Sequence, residues 1–289
     1  MPRAVALVSS ADAREHDGDL PIIIRSLGDR GIDARIVDWD DQSVDWSGFD
    51  AAVVRSPWDY HRRYDEFISW VERVSALTTL LNDAATIRWN TDKSYIAELA
   101  EAKIPVIPTS YVRTSADLDA VDMGGDIVVK PTVSAGSNNT ERHADAAAAR
   151  AHVESLLSSG MTAMVQPYQR FIDDNGETGM VFFNGEYSHA FRKGAILATG
   201  DNVKNGLFAV EDIGPRKANE QEIELGEKVM RTVRKRLGHD PLYARVDVVR
   251  GSAGSPVLME LELTEPSLYL DMDPNAATRF ATALVSRLQ

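Results

Sequence analysis

The 289-residue chain contains no cysteine. Disulfides, a thiolate nucleophile and cysteine-ligated zinc are excluded together, and a reducing, cytoplasmic setting is the natural expectation. Histidine is sparse, at six residues, with no HExxH and no close pair at ligand spacing along the chain. His143, His152 and His239 lie among polar neighbours and read as surface residues. Positive charge is also short: 31 Lys and Arg against 44 Asp and Glu leave a net charge of −13. A nucleic-acid surface is therefore not expected, because phosphate backbones demand clustered cations. No apolar run approaches the roughly 18 residues of a membrane span. The apolar part of Met1–Ser9 is too short for a signal peptide. GxxxxGK[ST], GxGxxG after a strand and GxSxG are all missing, so P-loop, Rossmann and serine-hydrolase readings have no foothold.

What is present is ordinary globular composition, 44% hydrophobic and 26% charged, in a chain long enough for two or three packed units. Strands are expected at 4–9, 33–38 and 51–55, with helices at 20–30 and 64–77, which makes a parallel α/β unit up to about residue 82. Beyond it the pattern turns to α+β. A helix is expected from Asp92 to Ala102, capped by Asn90 or Thr91, with Lys93 in its first turn against the macrodipole. Strands follow at 106–112, 126–130 and 162–166 around a helix at 145–157. Asn184-Gly185 marks a hairpin over 177–192. A long helix at 219–237, a strand pair and a last helix at 274–288 complete the chain.

The strand pair carries the strongest chemical signal. In Tyr243-Ala-Arg-Val-Asp-Val-Val249 and Val257-Leu-Met-Glu-Leu-Glu-Leu263, alternation puts Arg245 and Asp247 on one face, and Glu260 and Glu262 on one face. If those faces coincide, three carboxylates and a guanidinium converge. Hard cations such as Mg²⁺ take oxygen ligands shared with substrate phosphates, and a phosphate is well met by arginine. Three upstream segments point the same way. Lys130-Pro131 ends an apolar strand and leads into a small-residue loop with Gly136 and Ser137, suited to cradling phosphate oxygens. Lys93 is a second cation. Gln166-Pro167-Tyr168 ends a strand, where backbone groups can meet an adenine edge, and Glu177 follows at a reach suited to ribose hydroxyls.

In this order the elements resemble the ATP-grasp superfamily of glutathione-synthetase type, over about residues 86–289. The resemblance implies an ATP-grasp fold with an N-terminal parallel-sheet α/β (pre-ATP-grasp) domain at 1–85, a small central lobe at 86–165 and a C-terminal lobe with the metal site at 166–289. It implies ATP and two Mg²⁺ ions as cofactors. Lys93, Lys130, Gly136, Ser137, Gln166, Pro167, Tyr168 and Glu177 would hold the nucleotide, and Asp247, Glu260 and Glu262 the metal. Arg245, Lys130 and Lys193 would be catalytic. The departure from the pattern is Thr178-Gly179, where relatives carry a basic residue, so the substrate half of the site is not carried over.

Arg55-Ser-Pro-Trp-Asp-Tyr60, at a strand end, offers a cation, an anion, a hydroxyl and aromatics for a small zwitterion. Arg55, Ser56, Trp58, Asp59, Arg192 and Ser267 are the substrate candidates, with 12–19 a second candidate rim. Ser56-Pro-Trp-Asp-Tyr60, Ile87-Arg-Trp-Asn90, Ser188-His-Ala190 and Met259–Ser267 together resemble a narrower group, the cyclo-ligases that form D-cycloserine from O-ureido-D-serine. The expected activity is thus an ATP-dependent carboxylate–amine ligation through an acylphosphate. The alternatives are an intermolecular amino-acid or peptide ligase and a non-catalytic ATP-binding regulatory protein. The expected partner is a small zwitterionic amino-acid-like molecule, with no nucleic acid and no membrane. A homo-oligomer is compatible with the sequence, which fixes no oligomeric state.

Overall fold

The computed structural model describes residues 3–197 and 212–288. The first unit runs β1 (Ala4–Ser9), α1 (Asp19–Gly28), β2 (Asp33–Asp38), β3 (Ala51–Ser56), α2 (Tyr64–Ser75) and β4 (Thr79–Leu81). Its sheet is parallel, in the order β2-β1-β3-β4. The unbroken apolar runs of β1 and β3 follow from burial on both faces, as helix-covered parallel sheets require. Two short helices, α3 (Ala84–Asn90) and α4 (Tyr95–Glu101), lead into β5 (Ser110–Val112), α5 (Ser115–Leu118), β6 (Ile127–Pro131), β7 (Glu141–His143), α6 (Ala146–Ser158) and β8 (Ala163–Pro167). Here the sheet is antiparallel, β5-β8-β6-β7. The last unit is α7 (Phe171–Asn175), β9 (Glu177–Phe183), β10 (Glu186–Lys193), β11 (Ile213–Pro215), α8 (Glu220–Leu237), β12 (Tyr243–Arg250), β13 (Pro256–Glu262) and α9 (Ala276–Arg287). Its antiparallel sheet is ordered β11-β10-β9-β12-β13.

Local chemistry explains the boundaries. Asn184 and Gly185 both take positive φ, 49° and 82°, as the two-residue turn between β9 and β10 needs. α8 opens on an Asn219/Glu222 capping box and stops at Gly238 in the left-handed conformation, with three cations in its last turn. The cores cross the sequence segments. α9 packs Phe280, Ala281 and Leu284 with Val5 and Leu7 of the first sheet, and α4 packs Ile96 and Leu99 with Met180 and Phe182 of the last.

Two expectations are corrected here. The helix foreseen from Asp92 begins at Tyr95, and Asn90 and Thr91 end α3 instead of capping it. Lys93 therefore sits in the link between helices, its N–H donating to the Thr132 carbonyl at 2.8 Å. The strand foreseen from Val106 begins at Ser110. Two prolines bracket 106–107, and this stretch pairs with β13 instead, through Leu258 N–H to the Pro105 carbonyl and Ile107 N–H to the Leu258 carbonyl. No helix among the described residues is long and apolar enough to cross a membrane.

Candidate active site

β12 and β13 pair as their alternation implied. Arg245 lies opposite Glu262 and Asp247 opposite Glu260, with a bulge directly after. Val246, Val248, Leu261 and Leu263 fill the core on the other face. The guanidinium of Arg245 grips Asp247 through Nε and Nη2, each at 2.9 Å from a carboxylate oxygen, and also reaches Glu262. The outer edge of β13 is closed by side chains. Asn90 accepts from the Leu263 N–H and donates to the Leu261 carbonyl, while the Tyr95 hydroxyl bonds both backbone groups of Leu261. An edge strand presenting charged groups is thereby held in one register.

This charged face forms one wall of a cavity of about 660 Å³ that draws on all three sheets. Lys130 and Lys93 enter from the middle sheet and its preceding link. Lys93 Nζ donates to the Ser134 carbonyl at 2.8 Å and stands 3.4 Å from Glu260. Between them, Gly136 and Ser137 adopt successive left-handed conformations, and Asn139 a third, so the loop after Lys130 turns tightly over the cavity. At the far end, Ile107, Val128, Ile172 and Met259 make an apolar wall beside Gln166, Pro167 and Tyr168. Tyr168 is clamped: its hydroxyl donates to Asp173 at 2.5 Å and the Arg142 guanidinium lies 3.5 Å from its ring centre. Glu177 opens β9 at the cavity, 3.9 Å from Lys193.

The electrostatics of this wall are set by crowding. Burial pushes Glu260 up, but Lys93, Lys130, Lys193 and Arg245 outweigh it and hold the carboxyl down at about 2. Burial drives Glu262 the other way, to about 8. Arg245 opposes that rise, and Glu260 and Asp247 add to it. Glu177 and Glu265 are likewise pushed up to about 7, chiefly by burial. Burial also lowers Lys130. Asp17, Asp19, Glu177, Glu260, Glu262, Glu265 and Asp271 line the cavity against Lys93, Lys130, Lys193 and Arg245, an excess of acidic groups that a bound cation would offset.

Lys93, Lys130, Gly136, Ser137, Gln166, Pro167, Tyr168, Glu177, Lys193, Arg245, Glu260 and Glu262 all line the cavity. Asp247 does not line it; it lies behind Arg245, 1% exposed. Of the substrate candidates, Trp58 and Ser267 line it, but Arg55, Ser56, Asp59 and Arg192 do not. Arg55 is fully buried and turned inward, donating to the Pro266 carbonyl at 2.9 Å and facing Asp19 at 3.4 Å. Ser56 bonds Ser9 across the first sheet, and Asp59 is taken by Trp39 and Arg63. Arg192 points to the opposite face of β10 from Lys193 and pairs with Asp212.

The first unit, joined by His189 of β10, instead acts as a brace. Asp19 accepts from the N–H groups of Leu268, Tyr269 and Leu270, Trp58 donates to the Glu265 carbonyl, and His189 bonds the Leu268 carbonyl. Together with Arg55 these bonds fix the loop after β13, which brings Glu265, Ser267, Tyr269 and Asp271 to the cavity. β1 and β3 are neighbours whose chain connections run to opposite sides of the sheet, and their carboxyl ends deliver His16, Asp17, Trp58 and Tyr60 to the crevice. The rim at 12–19 thus contributes, whereas Glu265 was missed because it falls out of phase with the Glu260/Glu262 alternation.

Residues 5–82 match the family "D-cycloserine synthetase DcsG, N-terminal domain". The cycloserine biosynthesis protein DcsG of Streptomyces lavendulae is 39% identical over 297 residues, covering 99% of both chains. The chain belongs to the DcsG family. The crystal structure of D-cycloserine synthetase DcsG superimposes with a TM-score of 0.92 at 38% identity, covering 99% of this chain and 100% of that one. A RimK domain ATP-grasp protein from Sphaerobacter thermophilus shares the fold with a TM-score of 0.66 at 17% identity, over 99% and 98% of the two chains. This DcsG-family chain accordingly has the fold of the ATP-grasp ligase structures, with their α/β first sheet and antiparallel later sheets.

Proposed function

We propose that the protein closes O-ureido-D-serine to D-cycloserine at the expense of ATP; the product is the one named for its relative, a cycloserine biosynthesis protein. The observation that carries the reading is the meeting, in one cavity, of the strand- and link-borne Lys130 and Lys93 with Arg245, Glu260 and Glu262 of the paired β12–β13 face, with Asp247 directly behind Arg245. On this reading residues 1–85 are the pre-ATP-grasp domain, 86–165 the central lobe and 166–289 the lobe with the metal site.

Lys93, Lys130 and the Gly136–Ser137 turn hold the phosphates of ATP, Gln166–Tyr168 and the apolar wall hold its base, and Glu177 its ribose. Glu260 and Glu262, oxygen donors on the cavity wall, suit Mg²⁺, and Asp247 would complete the set for two ions once Arg245 releases it; such ions would neutralise phosphate charge. The substrate carboxylate displaces ADP from the γ-phosphorus, giving an acylphosphate. The oxyamine nitrogen then attacks the acyl carbon, phosphate leaves, and the five-membered ring closes. Hydrolysis of the ring-borne carbamoyl group with one water gives CO₂ and ammonia. No protein nucleophile is needed, so the side chains act by positioning and charge neutralisation. Lys130, Lys193 and Arg245 face the transferring phosphoryl group, and Trp58, Ser267 and the 12–19 rim the amino-acid end.

ADP release measured with O-ureido-D-serine alone, then with pairs of amino acids, tests this. Release with the single substrate is expected. A strict need for a second substrate would establish an intermolecular ligase instead, and no release with any acid would leave a nucleotide-binding protein.

A further inference from the structure

Away from the cavity, β7 and α6 bring together three residues that alternation and helical spacing keep apart in sequence. His143 Nε2 and His152 Nδ1 face each other at 3.0 Å. Glu141 Oε2 stands 3.7 Å from the first and 4.0 Å from the second. Both imidazoles are about nine-tenths buried, each with 10% of its side chain exposed, and the carboxylate keeps 32%. The expectation that His143 and His152 are separate surface residues is therefore wrong, because Glu141 and His143 share one face of β7 and that face is covered by the second turn of α6. None of the three lines the cavity.

We propose that Glu141, His143 and His152 form a binding site for a borderline transition-metal dication of the Zn²⁺ type. Two imidazole nitrogens and a carboxylate oxygen at about 2.0–2.2 Å from such an ion in tetrahedral geometry lie about 3.3–3.6 Å from one another. The observed edges of 3.0, 3.7 and 4.0 Å reach that triangle with shifts of a few tenths of an ångström, most of them in the more exposed Glu141 side chain. The two imidazole nitrogens already face each other at 3.0 Å, converging on the space an ion would take. Two imidazoles and one carboxylate select against Mg²⁺, which wants oxygen alone, so this site is chemically distinct from the carboxylate wall. The three-ligand set leaves a fourth coordination position toward the exposed side, where Glu141 stands. Glu141 directly follows Thr140, which lines the cavity, so an ion here ties the root of the loop after Lys130 to α6.

The test is calorimetric titration of the untagged, chelator-treated full chain with ZnCl₂ in excess Mg²⁺. One equivalent is expected to bind. Losing even an outer-shell partner weakens metal sites by about 10–100-fold, so His143→Gln and His152→Gln should each weaken Zn²⁺ by at least about tenfold. Glu260→Gln should leave the affinity unchanged. Binding that survives both histidine substitutions, or that disappears in Glu260→Gln, overturns the site. Should either histidine variant fail to fold by circular dichroism, Co²⁺ added to the wild-type chain decides. Visible d–d bands of a nitrogen-ligated ion support the proposal, and their absence refutes it.

Discussion

Two strand ends in this molecule carry arginine beside carboxylates, and they do opposite work. In β12–β13, Arg245, its partners Asp247 and Glu262, and Glu260 stand on a sheet face that forms a cavity wall, at or just behind its surface. At the end of β3, Arg55 faces Asp19 and Asp17 with every side chain at most 5% exposed, and its remaining bond goes to the Pro266 carbonyl. The first group is available to ligands because its strand is followed by a gap between sheets. Arg55 is shut off from the cavity because the loop after β13 folds over it, although Asp17 and Asp19 border the cavity rim. Residue type does not distinguish them; what covers the strand end does. One cluster offers charge, and the other holds still the loop on which Glu265 and Ser267 sit.

Substitution at each cluster should separate the two roles. The largest effect belongs to the open one. Glu260→Gln removes a carboxylate that four cations hold ionised, and ADP release with O-ureido-D-serine should fall by at least about 10²-fold, with some loss of stability at neutral pH as its cations lose a partner. Near-normal turnover would remove Glu260 from the proposed metal set. At the closed cluster the expected loss is stability. Arg55→Met leaves Asp17 and Asp19 buried without a counter-charge and should cost about 3–5 kcal/mol in urea unfolding. A variant that is as stable as the wild type but inactive would mean that Arg55 touches substrate after all.

The sequence was legible where one periodicity decided the matter. Alternation in β12 and β13 predicted both shared faces, and Asn184-Gly185 predicted the β9–β10 turn. It was illegible where a side chain's partner lies far along the chain. Nothing near Arg55 announces Pro266, and nothing near Asn90 announces Leu261 and Leu263. The string Ile87-Arg-Trp-Asn90 pointed to the right family, but its reason is a backbone edge some 171 residues later. Asn90→Ala strips that edge of a donor and an acceptor and should cost about 1–3 kcal/mol. Nucleotide binding would weaken as β13 loosens, and equilibrium unfolding with a parallel nucleotide titration measures both.

Acidity sharpens the contrast further. Glu262 is raised to about 8 by burial, against Arg245 and with Glu260 and Asp247. A carboxyl so raised keeps its proton in the folded chain after the unfolded chain has released it. Its contribution to stability is therefore full at low pH and disappears as pH rises through that value. Compared with Glu262→Gln, the nucleotide-free wild type should lose a few degrees of Tm between about pH 5 and about pH 8. Excess Mg²⁺ should abolish the loss, since an ion on these oxygens favours the ionised form. Parallel slopes for the two proteins would remove Glu262 as the source.

The smallest expected effect comes from neighbours one residue apart on β10. Arg192 and Lys193 alternate across the strand: Lys193 enters the cavity toward Glu177, and Arg192 pairs outside with an Asp212 that is 71% exposed. An exposed pair of this kind contributes about 0–1 kcal/mol. Arg192→Ala should accordingly leave both turnover and Tm close to wild type. Lys193→Ala removes a cation that helps keep Glu260 ionised and faces the nucleotide's phosphates in the proposed complex, so kcat should fall by about tenfold or more. The pair is a direct test of whether position on the sheet, rather than charge, selects the working residues. Equal losses in the two variants would show that both faces of β10 contribute, and the division between open and closed charge would have to be redrawn at this strand.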